Sequence, residues 1–150
     1  MKTVQGGNGN SGCVRVLLVD DYEPWRHHVS EMLQKHPEAR VIGQASDGLE
    51  AVQQAEELKP DLILLDIGLP TLNGIEVARR IRSVCPGSKI LFVSENRAAD
   101  IAEEALRGAT GYVVKSDAAR DLLPAIKAVL GGQRFVSASL ANQVFEPKMG

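Results

Sequence analysis

The sequence predicts an α/β domain: a parallel sheet of five strands with helices on both faces, a three-layer sandwich. Two observations carry this. Five short apolar, β-branched runs alternate with five stretches of helical spacing, which calls for right-handed crossovers between parallel strands. The central run, Asp61-Leu62-Ile63-Leu64-Leu65-Asp66, is apolar at every position between its two acids, as suits a strand covered on both faces. Gly68 and Pro70 forbid its simple continuation, so Asp66 stands at the carboxyl edge of the sheet, where open α/β sheets bind ligands.

The elements follow in order. Cys13 to Val19 is β-branched and apolar, a first strand ending at Asp20-Asp21. Pro24 suits a first helical turn, and Trp25, Val29, Met32 and Leu33 repeat near a helical period until Pro37. Arg40 to Ala45 is a second strand, closed by the turn pair Asp47-Gly48. Leu49, Val52, Ala55 and Leu58 mark a second helix stopped by Pro60. After the central strand, Gly74 opens a helix carrying Ile75, Val77, Ala78 and Ile81, and Pro86-Gly87 ends it. Lys89 to Val93 is a fourth strand with Ser94 at its end, and Ala98 to Arg107 a fourth helix. Gly111 to Val114 is a short fifth strand ending at Lys115. A last helix runs to Leu130 and stops at Gly131-Gly132, with Pro124 expected only near its start, where amides have no helical partner to lose.

Length and composition bound the function. The 150 residues suit one domain with an ordinary core. A net charge of −2 provides no global basic field for nucleic acid. No apolar run is long enough to cross a bilayer. Residues 1–12 read as a polar, Gly/Asn-rich disordered leader without a signal-peptide core. Cys13 and Cys85 have no metal-ligand or redox spacing and read as reduced, semi-buried thiols of a cytoplasmic protein. Adjacent His27 and His28 point to different faces of one helix and His36 lies near its end, so all three read as solvated. Trp25 reads as a packing or partner contact.

Laid on this sheet, the strand ends bring Asp20, Asp21, Asp66, Ser94 and Lys115 to one edge. Taken singly, each is more often a cap, a turn residue or a solvated charge. Together they offer a coherent chemistry. Crowded carboxylates repel unless protonated or bound to a cation, and hard oxygen ligands suit Mg²⁺. A lysine supplies a compact positive charge for a phosphate oxygen, and a hydroxyl can donate to another. Phosphoryl transfer onto a carboxylate needs this set: a nucleophile, charge neutralisation and oxygen donors.

Leu17 to Asp21, Asp61 to Pro70 with Asn73-Gly74, Val93-Ser94 and Gly108 to Lys115 resemble the response-regulator receiver domain of two-component signalling. The match runs through about residues 14 to 131. The resemblance implies a flavodoxin-like (βα)5 fold with strand order 2-1-3-4-5. It implies that Asp66 is the phosphoacceptor, taking its phosphoryl group from a histidine kinase, in a switch that assists only its own phosphorylation and dephosphorylation. Asp21, Asp66 and the backbone carbonyl of Gly68 would bind Mg²⁺, with Asp20 acting through water or by orienting Asp21's surroundings. Lys115 and Ser94 would bind the phosphoryl oxygens, and Tyr112 would move with Ser94 as the aromatic switch of the surface made by the fourth helix, fifth strand and fifth helix. The plainer reading of Tyr112 is a half-exposed tyrosine on a short strand. Ser116 follows Lys115 where the family often carries a cis-joined proline. Gly68 and Asn96 occupy positions that tune dephosphorylation in the family.

The domain is expected over residues 13–131. Residues 131–145 resemble the linker that precedes the helix-turn-helix domain in the NarL/FixJ class of transcription factors, so 132–150 is expected as a tail toward an absent output domain, through which alone DNA would be bound. An excised receiver is the favoured expectation, because Leu140, Val144 and Phe145 form an apolar stripe with little left to cover; otherwise the stripe packs back on the receiver. Homodimerisation is a further expected association. Three other functions compete. A stand-alone or phosphorylation-independent interaction module would need none of the acids. A flavin binder would want a Ser/Thr/Gly-rich loop where Asp20-Asp21 stand. An aspartyl-phosphate hydrolase would place a second acid where Gly68 stands.

Overall fold

A computed structural model describes residues 13–145, with side chains through residue 141. The expected leader, residues 1–12, lies outside the described residues. The chain runs β1 (Val14–Val19), α1 (Glu23–Gln34), β2 (Ala39–Ala45), α2 (Gly48–Leu58), β3 (Leu62–Leu65), α3 (Gly74–Val84), β4 (Lys89–Ser94), α4 (Ala99–Leu106), β5 (Gly111–Val114), a 3-10 turn Lys115–Asp117, α5 (Ala118–Leu130), β6 (Phe135–Val136) and α6 (Ala138–Phe145). All strand pairs are parallel, in the order β2-β1-β3-β4-β5-β6. The five-stranded doubly wound sheet is thus as expected, with one strand added beyond β5.

Alternation along the strands builds the two cores. Leu17, Val19, Ile63 and Leu65 face the layer of α2, α3 and α4, whereas Val16, Leu18, Leu62 and Leu64 face α1 and α5. A strand's successive side chains point to opposite faces, so an all-apolar run is what a doubly covered strand requires. The caps fix where the helices enter the loops. Asp47 accepts from the Glu50 amide at the start of α2, and Asn73 accepts from the Glu76 amide at the start of α3. Gly48, expected in a turn, is instead the first residue of α2.

Pro124 lies inside α5 rather than in its first turn. An interior proline costs roughly 3 kcal/mol. The helix persists because Leu122, Ala125, Ile126 and Val129 are buried against the sheet, while Pro124 itself is exposed. Tertiary burial outweighs the local penalty. Of the two thiols, Cys85 is buried and Cys13 exposed, so neither is semi-buried.

The tail is part of the fold. β6 pairs with β5 through Gly111↔Phe135 and Tyr112↔Val136. Leu140 is buried in the same core as Leu106 of α4 and Tyr112 of β5. The apolar residues of the tail therefore pack back on the domain as far as Leu140; the side chains of Val144 and Phe145 lie outside the described residues. The face of α4, β5 and α5 is not a free surface, since β6 covers the β5 edge and α6 lies on α4.

Candidate functional site

Strand register delivers the acids to one edge. Val19 is paired with Leu65 in β3 and Ala45 in β2, so Asp20 and Asp66 leave the sheet side by side; Leu65 is paired with Phe92 in β4, which puts Ser94, the last residue of that strand, one step beyond Asp66. Backbone bonds hold the two exits: the Asp66 amide donates to the Val19 carbonyl at 3.0 Å and the Asp20 amide to the Ala45 carbonyl at 3.0 Å. Ser94 is paired with Val114, so Lys115 follows one residue further, just past the end of the adjacent strand. These residues line one open cleft with Asp21, Gly68 and Asn96.

Within the cleft, Asp20 is buried. Its Oδ1 accepts from the Tyr22 amide at 2.9 Å, and its Oδ2 lies 2.6 Å from the Lys115 ammonium. Asp66 Oδ1 accepts from its neighbour Ile67's amide at 2.8 Å, and Oδ2 lies 3.7 Å from the same ammonium. Burial pushes the Asp66 carboxyl above its ordinary value; Lys115 opposes this and Asp20 adds to it. Asp21 stands exposed on the rim. One oxygen from each of Asp20, Asp21 and Asp66 falls within 4.8 Å of the others. Such a cluster of hard oxygens, one of them (Asp20 Oδ2) buried without a hydrogen-bond donor apart from the ion pair, is chemically suited to a divalent cation. Gly68 is exposed, with open space where a side chain would project.

The other side of the cleft joins to the tail. Ser94 Oγ accepts from the Asn96 amide at 3.1 Å. Tyr112 is fully buried, its ring 6.1 Å from that of Phe92 and its hydroxyl donating to the Asn96 carbonyl at 2.8 Å. The half-exposed reading of Tyr112 is thereby overturned: a strand paired on both sides and covered by α4 and Leu140 leaves its ring no route to water. Burial raises its phenol pKa above the ordinary value. The Lys115–Ser116 peptide is trans, and Ser116 Oγ accepts from Arg97 at 2.6 Å, tying together the loops after β4 and β5.

Three contributors have no place in the site expected from sequence, although Gly74 is expected as a helix start and Trp25 as a packing or partner contact. Gly74 abuts the site from below: a Cβ there would sit 2.0 Å from the Asp66 carbonyl oxygen. Arg26 donates to the Asp20 carbonyl at 2.5 Å. Trp25 places its ring centroid 5.0 Å from the Lys115 ammonium. Each acts across two elements, which periodicity along one element does not reveal. The histidines stay at the surface, His27 facing Glu31 at 3.3 Å and His36 facing Glu38 at 3.8 Å.

Residues 16–127 match the family model described as the response regulator receiver domain. This chain belongs to that family. It is 33% identical over 141 residues to the response regulator GacA of Pseudomonas viridiflava, covering 91% of this chain and 66% of that protein. It is 35% identical over 126 residues to the nitrate/nitrite response regulator protein NarL of Escherichia coli (strain K12), covering 83% and 58%. Among solved structures, a two-component response regulator of the LuxR family from Aurantimonas sp. SI85-9A1 superposes with a TM-score of 0.84 at 33% identity, covering 88% of this chain and 95% of that one. The receiver thus spans less than two thirds of the length of these curated relatives. Among the described residues, no helix is long and apolar enough to cross a membrane.

Proposed function

We propose that this receiver is a phosphoacceptor switch in which Asp66 carries the phosphoryl group. The observation that supports it most is the meeting, at one sheet edge, of two buried acids, an exposed third and a lysine bonded across them. Asp21, Asp66 and the Gly68 carbonyl would hold Mg²⁺, with Asp20 acting through water. The ion, when bound, offsets negative charge on the carboxylates and transferring oxygens.

The side chains supply the rest. An Asp66 oxygen forms its bond to phosphorus as the bond from phosphorus to the donor's imidazole nitrogen breaks, the imidazole leaving with that electron pair. A histidine kinase fits the donor, because the cleft is open to a partner's side chain. Lys115, between Asp20 and Asp66, neutralises charge that develops on the phosphoryl oxygens. The Ser94 hydroxyl, at the mouth of β4, donates to another of those oxygens. Beyond Ser94, the Asn96 backbone joins that hydroxyl to Tyr112, whose carbonyl accepts from the Ser137 amide in the tail. We read this chain of bonds as the path of the switch. Tyr112 already fills the interior, so arrival of the phosphoryl group would hold this packing rather than create it, and the covered face of α4 and β5 would report it through β6 and α6.

Residues 13–131 would carry the receiver's chemistry, and the segment from 132, whose β6 and α6 close over β5 and α4, would lead toward a transcriptional output domain, which alone would contact DNA. A receiver homodimer is the natural assembly for such an output, and the cytoplasm its compartment. The test is intact mass after incubation with acetyl phosphate, with and without Mg²⁺, beside Asp66→Asn. A Mg²⁺-dependent gain of one phosphoryl group in the wild type alone is expected. No gain, with a histidine-kinase donor failing as well, would replace this reading with a phosphorylation-independent interaction module.

A further inference from the structure

The cation of the cleft has a third neighbour. Lys115 lies against Asp20 and Asp66, and its remaining side is roofed by the indole of Trp25, 5.0 Å from ammonium to ring centroid. Its side chain is only 10% exposed, so the ring replaces water there. Trp25 sits in the first turn of α1, half-buried at the margin of the α1–α5 core. His28, one turn along, packs against the ring at 5.4 Å and an interplanar angle of 49°.

We propose that Trp25 is a positioning residue for phosphoryl uptake: its π face holds the Lys115 ammonium over the acid pair and lets it pass from Asp20 to the phosphoryl oxygens on Asp66. The proposal rests on the phosphoacceptor reading of Asp66. The physical need is plain from the distances. In the resting arrangement the ammonium is committed to Asp20 at 2.6 Å and only near Asp66 at 3.7 Å. Neutralising new charge at Asp66 requires the ammonium to shift while it stays shielded from water. A hydrogen-bonding neighbour would resist that shift, because its attraction falls steeply with angle. A ring face attracts a cation through its quadrupole within about 6 Å of the centroid, so the ammonium can slide beneath it. The indole also excludes water on that side, which strengthens the charge interactions it leaves in place. The ordinary alternative, that Trp25 merely covers apolar core, makes a different prediction, since a leucine of suitable shape would then serve.

The experiment measures uptake from acetyl phosphate at saturating Mg²⁺, in which the Asp66 oxygen–phosphorus bond forms as acetate leaves. Trp25→Leu is expected to slow the maximal rate about fivefold, the size of a cation–π contact of about 1 kcal/mol. Trp25→Phe is expected to restore most of it, and Mg²⁺ affinity by calorimetry is expected to stay within about twofold in both. In a Lys115→Met background, Trp25→Leu should have no further effect. Wild-type rates in Trp25→Leu, equal impairment by leucine and phenylalanine, or the same loss with and without Lys115 would each overturn the proposal. A second readout needs no phosphoryl transfer: Trp25 is the chain's single tryptophan, so its emission reports the ammonium against its face. Emission should change in Lys115→Met, and an unchanged spectrum overturns the contact alone. A wild type that takes no phosphoryl group from either donor overturns the phosphoacceptor reading and, with it, the role given to Trp25.

Discussion

Lys115 is bonded to Asp20 at 2.6 Å and stands 3.7 Å from Asp66, so the cleft's cation rests on Asp20 and not on the proposed phosphoacceptor. Asp66 is left as a buried carboxylate with one amide donor and incomplete neutralisation, and burial raises its pKa. A raised carboxylate pKa means that the ionised form costs stability. That cost is fully present above the folded pKa and is gone below the ordinary value of 3.8. Asp66→Asn should therefore melt higher than the wild type at pH 7 without Mg²⁺, by about 3 °C for each 1 kcal/mol relieved. The difference should shrink as pH falls toward the ordinary carboxylate range. Added Mg²⁺ should raise the melting temperature of the wild type more than that of the variant. Thermal melts by circular dichroism, across pH and with and without Mg²⁺, check all three; a variant less stable than the wild type at pH 7 would contradict them.

Gly74 is required by contact. A methyl group at this position would meet the Asp66 carbonyl oxygen at 2.0 Å and Ile67 Cα at 2.8 Å, both backbone atoms that cannot swing aside. Gly74→Ala should therefore displace the loop that carries Asp66, cost about 1–3 kcal/mol or more, and depress phosphoryl uptake beyond the loss of folded protein. Denaturant unfolding, paired with uptake per folded molecule, separates the two effects.

Ser137 fastens the tail. Its buried hydroxyl accepts from the Val114 amide at 3.0 Å, and its own amide donates to the Tyr112 carbonyl at 3.0 Å. Ser137→Ala leaves the buried Val114 amide without its partner, at a cost of about 1–3 kcal/mol. Amide hydrogen exchange should show lost protection at Val114 first and then along β6. Unchanged exchange at Val114 would mean that the tail does not depend on this bond.

Asp121 makes a small part of the stability depend on acid. The guanidinium of its neighbour Arg120, bonded at 2.8 and 3.1 Å, holds the carboxyl below its ordinary value against the opposing effect of burial, and Ser137 assists. A lowered pKa contributes stability that is complete above the ordinary value of 3.8 and is lost as pH falls through the folded value. Asp121→Asn should lower stability slightly at pH 7, because the hydrogen-bonded partner is a largely exposed arginine whose charge water screens. The cost should disappear in acid, where urea titrations of the two proteins should converge.

The sheet and the acid edge are legible in the order of residues alone. Leu62 to Leu65 are apolar at each position because both faces are covered, and strand direction alone then places Asp20, Asp66, Ser94 and Lys115 together. The two periodicities of the backbone write this information locally, at intervals of two and of about four residues. The rest follows from how the elements pack against one another. Pro124 lies inside α5 because a buried helix face outweighs a local penalty. Tyr112 is enclosed because β6 and α6 return to cover β5, and a two-residue strand has too short a period to read. Trp25 reaches Lys115 across some ninety residues of chain, through a contact that depends on where α1 lies against the end of β5. Such contacts arise between elements, from their packing angle and depth, and no single element's sequence contains them.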